Sequence, residues 1–64
     1  MMAHPTVGQR VRVRYAKHYR DMMPYHDCIG TVRIVAHYRP LNHGIEIGGR
    51  IIVIPCGNLM RIKP

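Results

Sequence analysis

Three arginines stand at alternate positions near the start of the chain, and their type and spacing suit the binding of phosphate groups. Arg10, Arg12 and Arg14 alternate with two valines and a tyrosine. In a β-strand this alternation places the guanidinium groups on one face, about 7 Å apart, which is comparable to the phosphate spacing along a nucleic-acid strand. The alternative is that the arginines only form the solvated face of an amphipathic strand.

The next segment, residues 16–27, mixes aromatic rings with cations. It contains Lys17, His18, Tyr19, Arg20, Tyr25 and His26, and neither a strand nor a helix pattern runs through it. A ring can stack on any unpaired base while neighbouring cations hold the phosphates, so this composition favours single-stranded nucleic acid. The adjacent Met22 and Met23 favour a different use of the loop, contact with a protein partner, because methionine adapts to varied apolar surfaces.

The charge of the chain agrees with a polyanionic partner. Ten Lys and Arg residues against three acidic residues give a formal net charge of +7 over 64 residues, and eight of the ten cations are arginine. Arginine presents a planar fork of donors that matches phosphate better than lysine does. The sequence therefore predicts a nucleic-acid-binding surface made of Arg10, Arg12, Arg14, Lys17, Tyr19, Arg20, Tyr25 and Arg33.

Catalytic and metal chemistry find little support in the sequence. The chain has no serine, and its acids are scattered at Asp21, Asp27 and Glu46, so no catalytic residues, cofactor or metal are predicted. The run from His26 to Cys28 is the best candidate for a zinc site, but the paired spacing of zinc ligands is absent. Cys28 could form a disulfide with Cys56; two reduced residues in the cytoplasm are the favoured alternative.

The predicted nucleic-acid-binding side chains need a folded framework to position them, and its clearest element is a β-hairpin. The segment from Gly44 to Pro55 joins two β-branched runs through Gly48 and Gly49. Such a pair accepts positive φ and predicts a tight two-residue turn. The apolar core is expected mainly from the isoleucines at positions 45, 47, 52 and 54.

Two further strands are predicted, at residues 7–15 and 28–38. In the second, Gly30 is expected to form a bulge or bend, and Val32, Ile34 and Ala36 are expected to share one face. Residues 1–6 are predicted to be a flexible tail and residues 7–62 a single small β-barrel domain. With no signal sequence or long apolar run, the protein is expected in the cytoplasm.

Two short motifs resemble the Src-homology-3-like small barrel. The segment from Pro55 to Ile62 is similar to the end of these barrels, where a Pro and an Asn shape a one-turn helix before the last strand. The openings of the first two predicted strands, at Gly8 and Gly30, resemble KOW-type modules. The resemblance implies an all-β, five-stranded barrel with a long loop after the first strand. Because the chain has no Trp or Phe, binding of Pro-rich peptides is not expected.

The function expected from these features is a small basic nucleic-acid-binding module, with single strands or RNA favoured. The alternative is a protein–protein adaptor that binds an acidic partner through the long loop, as a phage or mobile-element accessory protein would. A third possibility is a subunit of a homo-oligomer that pairs through open strand edges.

Overall fold

The computed structural model describes residues 2–62, which form one five-stranded antiparallel sheet. The strands occupy Arg10–Val13 (β1), Ile29–Ile34 (β2), Asn42–Ile47 (β3), Arg50–Pro55 (β4) and Leu59–Arg61 (β5). Their order in the sheet is β4-β3-β2-β1-β5. The all-β class is therefore confirmed, but β4 and β5 remain the two edges of the sheet and the barrel is not closed.

The predicted hairpin is confirmed in its turn and its register. Gly48 and Gly49 have φ values of 58° and 82°, and Ile47 pairs with Arg50 across them. Positive φ at both central residues is the geometry that matches the twist of the flanking strands. β3 and β4 then pair without interruption as far as Asn42 and Pro55.

The core lies on the inner face of the curved sheet. Ile45 and Ile54 are buried there, as predicted, whereas Ile47 and Ile52 are only partly buried and pack against the core. The remaining buried apolar residues come from the other strands and from the N-terminal segment: Met2, Val11, Val13, Val32 and Leu59. All five strands and the N-terminal segment thus contribute buried apolar residues.

The N-terminal segment takes part in the fold, unlike the flexible tail predicted for residues 1–6. The Met2 side chain is buried, and its N–H donates to the Cys56 carbonyl at 3.0 Å. The fully buried His43 contacts the Met2 carbonyl through Nε2 at 3.2 Å, while its Nδ1 accepts the Ala36 N–H at 3.0 Å. These two bonds require the Nε2–H tautomer and leave neither ring nitrogen unpaired. Residue 1 lies outside the described residues.

The second strand is shorter than predicted and its facing is partly wrong. β2 ends at Ile34, and its register with β3 shifts between Val32 and Ile34. Because one extra residue in a strand reverses the facing of everything after it, Ile34 is 57% exposed and Val35 packs against the core instead.

Gly30 has a different role from the predicted bulge. It pairs regularly with Val11, but a Cβ there would lie 2.6 Å from Ile45 Cγ2 and 2.7 Å from the Glu46 carbonyl oxygen. Only a residue without a side chain allows the strands to approach so closely. The irregularity that the sequence places at Gly30 occurs beyond Val32 instead.

A long loop after β1 is confirmed, but it spans residues 14–28 instead of 16–27, because the strand predicted at residues 7–15 occupies only Arg10–Val13. Backbone hydrogen bonds join the two ends of this loop. The Val13 N–H donates to the Cys28 carbonyl at 2.9 Å, and the Asp27 N–H donates to the Val13 carbonyl at 2.7 Å. A 3-10 helix at Lys17–Met22 lies inside the loop. A second 3-10 helix at Cys56–Asn58 is the predicted turn before β5.

Candidate nucleic-acid interface

Arg10 and Arg12 lie on the outer face of β1, as the alternation predicts. Val11 and Val13 between and beside them are fully buried, which directs the two arginines away from the core. Arg10 is exposed and lies beside Thr31 of β2. In the part of the chain that the structure describes, neither Arg10 nor Arg12 lies within ion-pairing distance of a carboxylate.

Arg12 is held between two apolar neighbours. Its register partners are Ile29 on β2 and Met60 on β5, which are 40% and 50% exposed. Its guanidinium donates through Nη1 to the carbonyl oxygen of Asp27 at 3.3 Å. The stem of Arg12 is therefore half-buried while the guanidinium keeps further donors for a ligand.

Arg14 differs from the other two because it has a counter-ion. Its Nη1 donates to Asp27 Oδ1 at 2.7 Å. Burial alone would raise the pKa of Asp27, but the hydrogen bond and charge of Arg14, with smaller effects of His26 and Arg12, lower that pKa below its ordinary value. Asp27 is therefore ionised at neutral pH and compensates the charge of Arg14.

His26 fixes the far end of the loop. Its Nδ1 accepts the Tyr15 N–H at 3.0 Å, so the neutral ring carries its proton on Nε2, which lies 3.4 Å from Asp27 Oδ2. The ring centroids of His26 and Tyr15 are 6.4 Å apart. The bonds of Asp27 and His26 therefore tie the start of the loop to its end.

Arg33 is also paired, on β2 and on the same outer face as Arg10. Its Nε donates to Glu46 Oε1 at 2.8 Å, between two partly exposed side chains. An exposed pair of this kind adds little stability, yet it compensates the charge of Arg33. Arg33 is thus brought to the outer face with an acidic neighbour that the sequence pattern did not reveal.

The loop presents three of the predicted residues together on its 3-10 helix. Lys17, Tyr19 and Arg20 are all exposed, and Tyr19 is 46% exposed. The Tyr19 and His18 rings lie with centroids 4.1 Å apart. Arg20 donates through Nε to the Tyr15 carbonyl at 3.1 Å. This hydrogen bond joins the 3-10 helix to the segment that follows β1.

Tyr25 is placed differently from Tyr19. It is half-buried and packs against the core, as does Tyr15, whose pKa is raised because burial disfavours its phenolate. Tyr25 therefore offers less ring surface to a base than Tyr19. It serves mainly to hold the loop against the sheet.

Two exposed features were missed from the sequence. Tyr38 is 87% exposed in the connection between β2 and β3 and stands next to Arg39. Ile34, Ile51 and Val53 are 57%, 53% and 66% exposed on the outer face. A Tyr-Arg dipeptide in a turn-rich segment was a usable signal for the first feature. For the second, the alternation along β4 indicates the outward facing of Ile51 and Val53, whereas the exposure of Ile34 depends on a register shift that has no sequence signature.

Side chains that could bind a metal lie apart from one another in the part of the chain that the structure describes. Over residues 2–62, no three His, Cys, Asp or Glu side chains come together as a potential metal site. Cys28 and Cys56 are free thiols. In the run considered for zinc, His26 already uses Nδ1 to accept the Tyr15 N–H, and the buried His43 uses both ring nitrogens in hydrogen bonds.

Comparison with protein-family models, curated proteins and solved structures found no match to this chain. Neither 3-10 helix of residues 2–62 has the length and apolar character that a membrane-spanning helix needs.

Proposed function

We propose that this chain is a nucleic-acid-binding module whose primary contacts are made by Arg10 and Arg12. The observation that carries the proposal is their position on the outer face of β1, without a carboxylate partner among residues 2–62. Three acids against ten cations leave most of the positive charge uncompensated. Such a surface attracts phosphate groups and releases the counterions bound to them.

The geometry of β1 suits a phosphate backbone. Consecutive outward positions on a strand lie about 7 Å apart, so adjacent phosphates can each receive one guanidinium. Ile29 and Met60 restrict the Arg12 side chain, and its bond to the Asp27 carbonyl orients the fork. A restrained arginine loses less conformational entropy when it binds.

Base contacts come from the loop in this proposal. Tyr19 offers an exposed ring on which a base can stack, and Lys17 and Arg20 beside it can hold the neighbouring phosphates. Because stacking requires an unpaired base, single strands are preferred over duplexes. Tyr25 holds the loop in place and Arg14 and Arg33, already paired, contribute less to affinity.

Anisotropy of labelled single-stranded and duplex oligonucleotides over a salt series tests the proposal. We expect binding that weakens steeply with salt, and Tyr19→Ala to weaken single-strand binding while duplex binding changes little. Tyr38→Ala removes another exposed tyrosine outside the proposed surface and serves as the matched control. Absence of binding at low salt would refute the function; equal effects of the two tyrosine variants would refute the stacking contact.

A second candidate function, a protein–protein adaptor for an acidic partner, is favoured by one observation. Met22 is 68% exposed at the end of the 3-10 helix, and Met23 beside it is partly buried. An accessory protein of a phage or mobile element could use such a loop to occupy a host factor. This function requires Met22 and does not require Arg12, so Met22→Ser and Arg12→Ala distinguish the two candidates.

A further inference from the structure

The edge strand β4 carries an uncovered apolar surface that the proposed nucleic-acid contacts do not use. Ile51 and Val53 point to the outer face, and Ile34 lies across Gly44 from Val53. A Cβ on Gly44 would lie 3.0 Å from Ile34 Cβ and 3.1 Å from Ile51 Cγ2. The side chains of Ile34 and Ile51 therefore meet over the glycine, and with Val53 they form one continuous apolar patch.

The backbone of β4 is open along the same side. The pair Ile47–Arg50 closes a two-residue turn and is therefore a hydrogen-bonded pair, as is every second pair after it. It follows that Ile51 and Val53 direct their N–H and C=O groups away from β3. Because β4 has no neighbour on that side in the sheet, these groups face outward.

The usual protections of an edge strand are missing here. The register of β4 with β3 shows no bulge, its only charged residue is Arg50 at the turn, and Pro55 stands only at its last position. Between these ends lie four apolar β-branched residues. A regular, apolar, uncovered edge of this kind is a template for pairing with another strand.

We propose that β4 pairs antiparallel with β4 of a second copy of this chain, about a two-fold axis at Ile52. In this register Ile51 faces Val53 of the second copy and Val53 faces its Ile51, so the outward N–H and C=O groups of both residues are satisfied on both chains. The two apolar patches then join on one face of a continuous sheet. This proposal is independent of the proposed nucleic-acid binding.

Charge is compatible with this pairing at the contact itself. The two copies of Arg50 lie on opposite sides of the axis, four residues apart along the strands, which is about 14 Å and beyond the screening length at physiological salt. The net charge of +7 on each copy still opposes association over longer range. Added salt therefore strengthens the dimer, whereas it weakens binding to nucleic acid.

The contact is small, so the dimer is expected to be reversible. A standard interface takes about 800 Å² from each partner, and an edge pair of a few residues provides less. We therefore expect a reversible equilibrium between monomer and dimer in the micromolar concentration range. A permanent dimer is not expected.

Sedimentation equilibrium of the full chain without nucleic acid tests the pairing. The expected result is a mass that rises with concentration from 7.4 kDa toward twice that value, more readily at high salt. Val53→Lys should weaken dimerisation at least about tenfold. The matched control is Met60→Lys, which introduces the same charge at an exposed apolar position of the other edge strand, β5, and should leave dimerisation nearly unchanged.

Amide hydrogen exchange of the unmodified chain gives a second measurement that does not depend on how a variant folds. Exchange at Ile51 and Val53 should slow as the concentration rises. A 7.4 kDa mass at every concentration and salt would overturn the proposal and leave the edge to a strand of another protein. Equal weakening by the two lysine variants, or exchange at Ile51 and Val53 that is independent of concentration, would also overturn it.

Discussion

Replacing Gly30 with alanine should destabilise the fold strongly, because the strands pass too close there for any side chain. The new Cβ would lie 2.6 Å from Ile45 Cγ2, 2.7 Å from the Glu46 carbonyl oxygen and 2.8 Å from Ile47 Cγ1. Ile45 is fully buried and the Glu46 oxygen belongs to the paired backbone of β3, so neither can move freely.

The size of the effect follows from that crowding. Overpacking of a core costs about 1–3 kcal/mol, and contact with backbone places Gly30→Ala at about 3 kcal/mol. A chain of this length has a free energy of unfolding of roughly 3–10 kcal/mol. With about 4–8 °C lost per kcal/mol in a small domain, Tm should fall by about 12–24 °C.

Thermal unfolding followed by circular dichroism, with urea titration at a fixed temperature, measures this loss. Gly57→Ala is the matched control, because a Cβ at Gly57 has no atom within 4 Å and its φ is not positive. That variant should be neutral or slightly stabilised. If the Tm of Gly30→Ala fell by no more than that of Gly57→Ala, the close approach of β2 and β3 would be refuted.

Two further predictions concern backbone conformation and pH. Gly49→Val forces a β-branched residue into a φ of 82° and should cost about 1–3 kcal/mol, measured by urea unfolding; an unchanged midpoint would contradict the turn. Because the pKa of Asp27 is lowered in the folded chain, its ion pair stabilises the fold above the unfolded pKa of about 3.9, and this contribution is lost as the pH falls through the lower folded value. Asparagine also tolerates the φ of 66° at this position, so Asp27→Asn should remove the ion pair without straining the backbone. This variant should therefore flatten the dependence of Tm on pH in the acidic range. An unchanged dependence would show that the contact with Arg14 does not stabilise the fold.

Local patterns were sufficient for the elements that depend on neighbouring residues. The alternation around Arg12 placed Val11 and Val13 inside the core, and the Gly48-Gly49 pair located the hairpin turn. The segment from Pro55 to Leu59 likewise predicted a one-turn helix before the last strand. In each case the chemistry of two to five consecutive residues determines the backbone conformation.

What the sequence could not provide depends on contacts between distant residues. The register shift after Val32 exposes Ile34, and it results from pairing with β3, not from a local signal. The acidic partners of Arg14 and Arg33 each lie thirteen residues away along the chain. Closure of the barrel was expected from the resemblance, but β4 and β5 do not pair.

The most direct test of the proposed function compares Arg12→Ala with Arg61→Ala in the salt dependence of oligonucleotide binding. Both variants remove one exposed or half-exposed arginine, but Arg61 pairs with Val11 and so stands on the opposite side of the sheet from Arg12. We expect Arg12→Ala to reduce the magnitude of the slope of log affinity against log salt by about 0.7 on single strands, and Arg61→Ala to leave it nearly unchanged. Equal slopes for Arg12→Ala and the unmodified chain would contradict the assignment of the outer face of β1 as the phosphate-binding surface.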